Sequence, residues 1–121
     1  MVLDEADHEF IRMLRSLGAP RKQAYVIGYL KNVNEATSRD VERGIEISYA
    51  EVTKAIHAMR NLGWIEAREY KRVEGRRKIT YALKSSPEEI IRHFEEEKLR
   101  ETMQARKSIQ RLKDLANSRN R

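Results

Sequence analysis

The chain of 121 residues has no cysteine, which excludes disulfides and thiolate-ligated metal and fits a cytoplasmic setting. No apolar run approaches the length of a membrane span or a signal-peptide core, so no membrane partner and no processing are expected. There is no glycine-rich phosphate loop, and no Ser or His falls in a nucleophile-elbow or metalloprotease pattern. Carboxylates are plentiful but lie mostly on projecting helices. The chain therefore does not read as an enzyme, and no cofactor is expected. Its three histidines, His8, His57 and His93, fall on three different helices. Paired tail helices would bring His93 near Glu89 or Glu97, but tight transition-metal sites need two or more His or Cys ligands at close spacing. Exposed histidines are the reading, and no metal is assigned.

What is present is charge. Charged residues make up 36% of the chain, the net charge is +6 and the sequence pI is about 9.7, a balance that favours a polyanionic partner such as nucleic acid. The charge is unevenly placed. Residues 21–84 carry a net +6, flanked by a net −2 in residues 1–20 and −3 in residues 85–101, with +5 in residues 102–121.

The stretch from Ser48 to Leu62 carries the clearest signals. Ser48 is a natural N-cap with Glu51 placed to close a capping box, and Gly63 can take the left-handed conformation that ends a helix. At about 100° per residue, Val52, Ala55, Ile56, Met59 and Leu62 share one arc that faces a core. The opposite arc holds Tyr49, Ala50, Thr53, Lys54, His57 and Asn61, with Arg60 at one edge and Glu51 near the boundary. A face of small, hydrogen-bonding and cationic side chains can enter a DNA major groove without repelling phosphates.

Upstream, Asp4 to Leu17 reads as a helix with Phe10, Met13, Leu14 and Leu17 on one stripe, widened by Ile11. Gly18-Ala19-Pro20 ends it and opens a second helix, with Pro20 at the first position and Ala24, Ile27 and Leu30 facing inward to about Lys31. A short third helix starts at Thr37 or Ser38, where Thr37 and Asp40 can form a capping box, and ends at Gly44 with Val41 as its anchor. The third helix and the Ser48 helix, joined by a few residues beginning at a glycine, make a helix-turn-helix. After Gly63 the period alternates: 64–70 and 78–83 read as strands of a hairpin turning at Glu74-Gly75, with Trp64 and Tyr70 as hairpin packing. Ser86, Pro87 and Glu89 then open a helix with no later Gly or Pro, able to run to about Ala116, roughly 45 Å at 1.5 Å per residue. That length should project from so small a domain. Its thin seam, Ile91, Phe94, Leu99, Thr102, Ala105, Ile109, Leu112 and Ala116, predicts pairing with a second copy, parallel or antiparallel.

The expected fold is mainly α with a small β-hairpin: a winged helix-turn-helix over residues 1–85 and a long dimerisation helix over 86–121, frayed at its end. The runs LGAPRKQAYVIGYL, ATSRDV, ISYAEVTKAIHAMRNLGWIE and SSPEEII, with the basic hairpin between the last two, resemble the N-terminal DNA-binding domain of the TrmB family of transcriptional regulators, and more distantly ArsR and MarR regulators. The resemblance covers roughly residues 10–100. It implies that the Ser48 helix is the recognition helix, the hairpin the wing and the last helix the dimerisation element. Sugar-responsive TrmB proteins carry a large C-terminal ligand domain, and this chain ends where that domain would begin, so sugar sensing is not expected.

The expected function is a homodimeric, sequence-specific regulator bound to double-stranded DNA. Tyr49, Ala50, Thr53, Lys54, His57 and Asn61 would read bases. Lys71, Arg72, Arg76, Arg77 and Lys78 would hold the backbone or enter a minor groove, with Arg21, Lys22, Arg39, Arg43, Ser48 and Arg60 adding backbone contacts. Phe10, Ile11, Leu14, Ile91, Phe94, Leu99, Thr102, Ala105, Ile109 and Leu112 would form the dimer contact. The alternatives are a winged helix used for protein interaction and a sequence-neutral architectural DNA binder.

Overall fold

A computed structural model describes residues 1–71 and 75–118, with the backbone alone for Lys71. The order is α1 (Glu5–Ser16), α2 (Arg21–Leu30), α3 (Ser38–Gly44), α4 (Tyr49–Asn61), β1 (Ile65–Lys71), β2 (Arg77–Leu83) and α5 (Pro87–Asn117). The two strands pair antiparallel, Ile65 opposite Leu83 and Lys71 opposite Arg77. A third edge was not foreseen: Ala36 donates its N–H to the Tyr81 carbonyl at 2.9 Å and accepts the Tyr81 N–H at 2.7 Å. That bridge pins the loop before α3 to the hairpin.

α2 is the central helix. The expected stripe of Ala24, Ile27 and Leu30 is buried, and so are Val26, Gly28 and Tyr29, because α1, α3, α4 and β2 all pack on it. Pro20 stands at the N-cap, one residue outside the helix it was expected to begin, with ψ 140° that is not helical. On α1 the inward stripe is Asp7, Ile11 and Leu14, spaced by four and three, which leaves Met13 61% exposed instead of buried. Ile11 and Leu14 are therefore core residues of the subunit and not dimer contacts. Gly28 permits this: a Cβ there would lie 2.7 Å from the Ile11 Cδ1.

Two capping boxes are complete, Asp4 with Asp7 on α1 and Thr37 with Asp40 on α3. The two expected at Ser48 and Ser86 are half-made. Each serine hydroxyl accepts the N–H three residues on, at 3.4 Å for Glu51 and 3.2 Å for Glu89. The Glu51 carboxylate instead accepts from Lys22. Val52, Ala55, Ile56 and Met59 of α4 are buried as their arc predicted. Leu62 is not: it caps the helix where the chain turns away at Gly63 (φ +80°), and its side chain is half exposed.

α5 is held to this body at its start. Ile90 and Phe94 are buried, and Trp64 meets the Phe94 ring edge-on at 5.5 Å and the His93 ring at 5.0 Å. His93 is thus partly buried, not an exposed histidine, and Phe94 belongs to the subunit core, not to a free seam. From Lys98 to Ser118 every residue is exposed, so the helix projects.

The buried Asp7 carboxylate joins the start of α1 to the end of α2. It accepts from the Lys31 ammonium at 2.6 Å and the Asn32 amide at 2.8 Å, and the Lys31 hydrogen bond first, then the Asp4–Asp7 backbone hydrogen bond, hold it well below the usual carboxylate range. A depressed native pKa means its stabilisation is full above the unfolded value of about 3.9 and is lost as pH falls through the native value. Asp7→Asn should cost about 1.5–3 kcal/mol at pH 7, as for other hydrogen bonds to charged groups. The gap to the parent in urea unfolding should narrow steadily below about pH 4.

Candidate nucleic-acid interface

The helix-turn-helix is fixed by polar contacts as well as by its core. Glu42, in the last turns of α3, accepts the otherwise unpaired N–H of Tyr49 at 3.0 Å, capping α4 from outside. The same carboxylate meets Arg39 at 3.3 Å, and the Arg39 guanidinium lies over the Tyr49 ring at 4.1 Å. Arg39, expected on a phosphate, thereby also orients Tyr49. Nothing in the local spacing pointed to Glu42, because its partner lies seven residues on and across a turn.

The outward face of α4 is laid out as its period predicted. Tyr49, Ala50, Lys54, His57, Arg60 and Asn61 are exposed on it. Thr53 is half-buried, and its hydroxyl donates back to the Tyr49 carbonyl at 2.9 Å, leaving its lone pairs outward. Glu51, the single carboxylate of α4, is engaged at the boundary by Lys22 at 2.6 Å, with Lys54 at 3.9 Å. The Lys22 hydrogen bond, with its charge, lowers the Glu51 pKa. Lys22 is thus tied to Glu51, while Arg21 stacks over Tyr25 at 5.1 Å.

Between α3 and β2 runs an open groove of about 390 Å³ whose lining includes four cations, Arg39, Arg43, Arg77 and Lys78, and one carboxylate, Asp40. The Thr37 backbone hydrogen bond first, then the nearby Lys78 and Arg43 charges, lower the Asp40 pKa. Arg77 pairs with Glu69 across the hairpin at 3.0 Å, and Arg76 is exposed beside it. Arg72 and the Lys71 side chain lie outside the described residues. Gly75 (φ +76°) is in the left-handed region that favours glycine, while Glu74, expected to turn the hairpin with it, lies outside the described residues.

One face of the hairpin carries a network that sequence reading missed. Glu35 accepts from Arg68 at 3.2 Å and from the Tyr70 hydroxyl at 2.8 Å, and Arg68 also meets Glu66 at 2.8 Å. The Tyr70 hydroxyl is the leading cause of a lowered Glu35 pKa. Tyr70 is therefore a half-exposed polar anchor rather than a packing residue. Among the described residues no group of three His, Cys, Asp or Glu side chains is placed to hold a metal, and no helix is long and apolar enough to cross a membrane.

Five helices with a two-stranded antiparallel hairpin and a long last helix form the winged-helix fold of transcriptional regulators. Among solved structures, a possible transcriptional regulator from Methanosarcina mazei Go1 is similar over 84% of this chain and 86% of its own, at 11% identity and a TM-score of 0.57. Bordetella bronchiseptica BpsR, whose DNA binding is regulated by 6-hydroxynicotinic acid, is similar over 91% and 87%, at 15% identity and 0.55. The MarR family transcription regulator SP03579 is similar over 94% and 85%, at 15% identity and 0.54. No protein-family model and no curated protein matches the sequence. These neighbours are transcriptional regulators, not enzymes.

The Lys22–Glu51 pair makes a testable claim about this surface. Lys22→Ala should weaken binding to duplex DNA by exposing a carboxylate beside it, and adding Glu51→Ala should restore the affinity in a fluorescence-anisotropy titration. If the double variant binds no better than Lys22→Ala, Lys22 acts by touching phosphate directly.

Proposed function

We propose that the protein is a cytoplasmic, TrmB-like transcriptional regulator that binds double-stranded DNA as a sequence-specific homodimer. The observation that carries the reading is the outward face of α4, which presents Lys54, His57, Arg60 and Asn61 beside the groove of Arg39, Arg43, Arg77 and Lys78. α4 enters the major groove. Asn61 suits a bidentate bond to adenine, Lys54 and His57 donate to guanine, and Ala50 and Tyr49 meet a thymine methyl. The groove cations and Arg76 follow phosphates, with Arg72 and Lys71 assigned to the same wing from the sequence. α5 pairs two copies, so the operator is pseudo-palindromic, with half-site centres one helical turn or a multiple apart.

Selection of duplexes from a randomised pool at near-physiological salt tests this directly. A two-fold motif is expected. Retained DNA without enrichment would replace the reading by an architectural binder, and no retention by a protein-interaction module. On the selected site, His57→Ala or Asn61→Ala should relax base preference, at about 1–3 kcal/mol for a true base contact. Arg76→Ala with Arg77→Ala should weaken all sequences alike and flatten the dependence of affinity on salt. Identical behaviour of the two sets would refute the division between reading helix and wing.

A further inference from the structure

A cavity of about 280 Å³ lies where the N-terminal segment, α1, the start of α2 and the turn between α3 and α4 come together. Leu3 and Ile45, both buried, form the apolar part of its wall. The Met1 carbonyl oxygen is 3.3 Å from where a Cβ of residue 44 would stand, so the N-terminal segment is seated on that turn. The polar part of the lining is His8 from α1, Arg21 and Tyr25 from α2, and Glu46 from the turn. The Arg21 guanidinium lies 5.1 Å over the Tyr25 ring, which meets the His8 ring edge-on at 6.3 Å. Lys22, Arg39, Arg68 and Arg77 each have a carboxylate partner, but among the described residues neither Arg21 nor Glu46 is ion-paired, with each other or with any other group. One cavity thus carries an apolar wall and two opposite charges that the protein leaves unanswered.

We infer that this cavity binds a free α-amino acid with a large apolar side chain. Small-molecule sites combine an apolar wall with a few polar groups that fix orientation. Here those groups have both signs. Arg21 offers the planar fork of N–H donors that matches a carboxylate, and Glu46 accepts from an ammonium. The ligand side chain lies on Leu3 and Ile45, beside the Tyr25 and His8 rings. An organic acid would leave Glu46 unanswered and add a like charge beside it, and an amine would do the same to Arg21. A zwitterion satisfies both. The volume falls just below the roughly 300–1,000 Å³ of drug-sized ligand sites and suits a molecule of this smaller size.

Occupancy of the cavity bears on α4. Glu46 is followed by the buried Ile47 and then by Ser48, the N-cap of α4. A ligand held between Arg21 and Glu46 therefore braces the start of α2 against the turn that leads into α4. It also engages Arg21, a cation assigned to the DNA backbone from the sequence. On the DNA-binding reading, on which this consequence alone rests, amino acid and DNA compete for Arg21, and each lowers the affinity of the other by the same factor.

The test is an amide NMR titration of the full chain, free of DNA, with L-phenylalanine, with 3-phenylpropanoate, which lacks the ammonium, and with 2-phenylethylamine, which lacks the carboxylate. L-Phenylalanine should shift the amides of Leu3, His8, Tyr25 and Glu46 saturably at millimolar concentration. Each truncated analogue should bind at least about tenfold more weakly, the loss expected for one hydrogen bond between charged groups. Arg21→Gln and Glu46→Gln, both at exposed side chains, should each weaken L-phenylalanine, while Glu46→Gln should bind 3-phenylpropanoate no worse than the parent does. Equal binding of 3-phenylpropanoate and L-phenylalanine would overturn the amino-acid assignment. No saturable shift at these amides with either L-phenylalanine or L-leucine would overturn the site, whatever the protein does with DNA. Binding of L-phenylalanine that leaves the affinity for a selected duplex unchanged would overturn the competition for Arg21 alone.

Discussion

The burial of α2 on nearly every side is the constraint on which the remaining structure depends. Val26, Ile27 and Leu30 are within 1% of complete burial, and the absent side chain at Gly28 lets Ile11 bring α1 against the helix backbone. The Tyr29 ring does the same for the end of α3, lying where a side chain at Gly44 would stand. With α1 and α3 seated, the inner arc of α4 can close the core only by turning Val52, Ile56 and Met59 inward. Because a helix has a fixed period, that choice also fixes what α4 shows to solvent. The surface proposed to face DNA is thus set by packing on its far side.

Basic composition gives an incomplete account of that surface. Several of its cations are already engaged: Lys22 by Glu51, Arg39 by Glu42 and the Tyr49 ring, Arg77 by Glu69. Each exposed pair contributes little to stability in water. Their effect is on the field and on position. Carboxylates near the interface are neutralised locally, while Arg39 and Tyr49 are held in a defined orientation. On the proposed reading, a cation that must leave a carboxylate to meet phosphate adds less to affinity than one that need not, so the exposed Arg60 would carry more weight than Lys22, Arg39 or Arg77.

The sequence made the element order, the inner arc of α4 and the projection of α5 legible, because each rests on a local signal: a cap, a period, or a run without Gly or Pro. Its errors came where a second element decided the outcome. Met13 and Ile11 exchanged places because the axis of α2, not the width of the α1 stripe, chooses the buried side. Glu51 did not complete its capping box because Lys22, distant in sequence, offers a charged partner. Glu42, Glu35 and the Ala36–Tyr81 bridge left no mark in spacing, since their partners lie across turns or strands. Reading the candidate interface followed the same division: the face of α4 was visible in its period, while the contacts that orient Arg39 and Tyr49 were not.

The thinness of the α5 seam bears on how such a regulator would act. Two small residues, Ala105 and Ala116, and Thr102 interrupt the apolar positions, so the apolar area two copies can bury there is modest. A pair of this kind separates readily at low concentration, yet two copies bound to adjacent half-sites are held near one another. Each then raises the effective concentration of the other's helix, as any tethered second contact does. On the proposed pairing, DNA and α5 stabilise the same dimer from opposite sides. A lone half-site gives a copy neither contribution, so a weak seam discriminates between one half-site and two more sharply than a permanent dimer would.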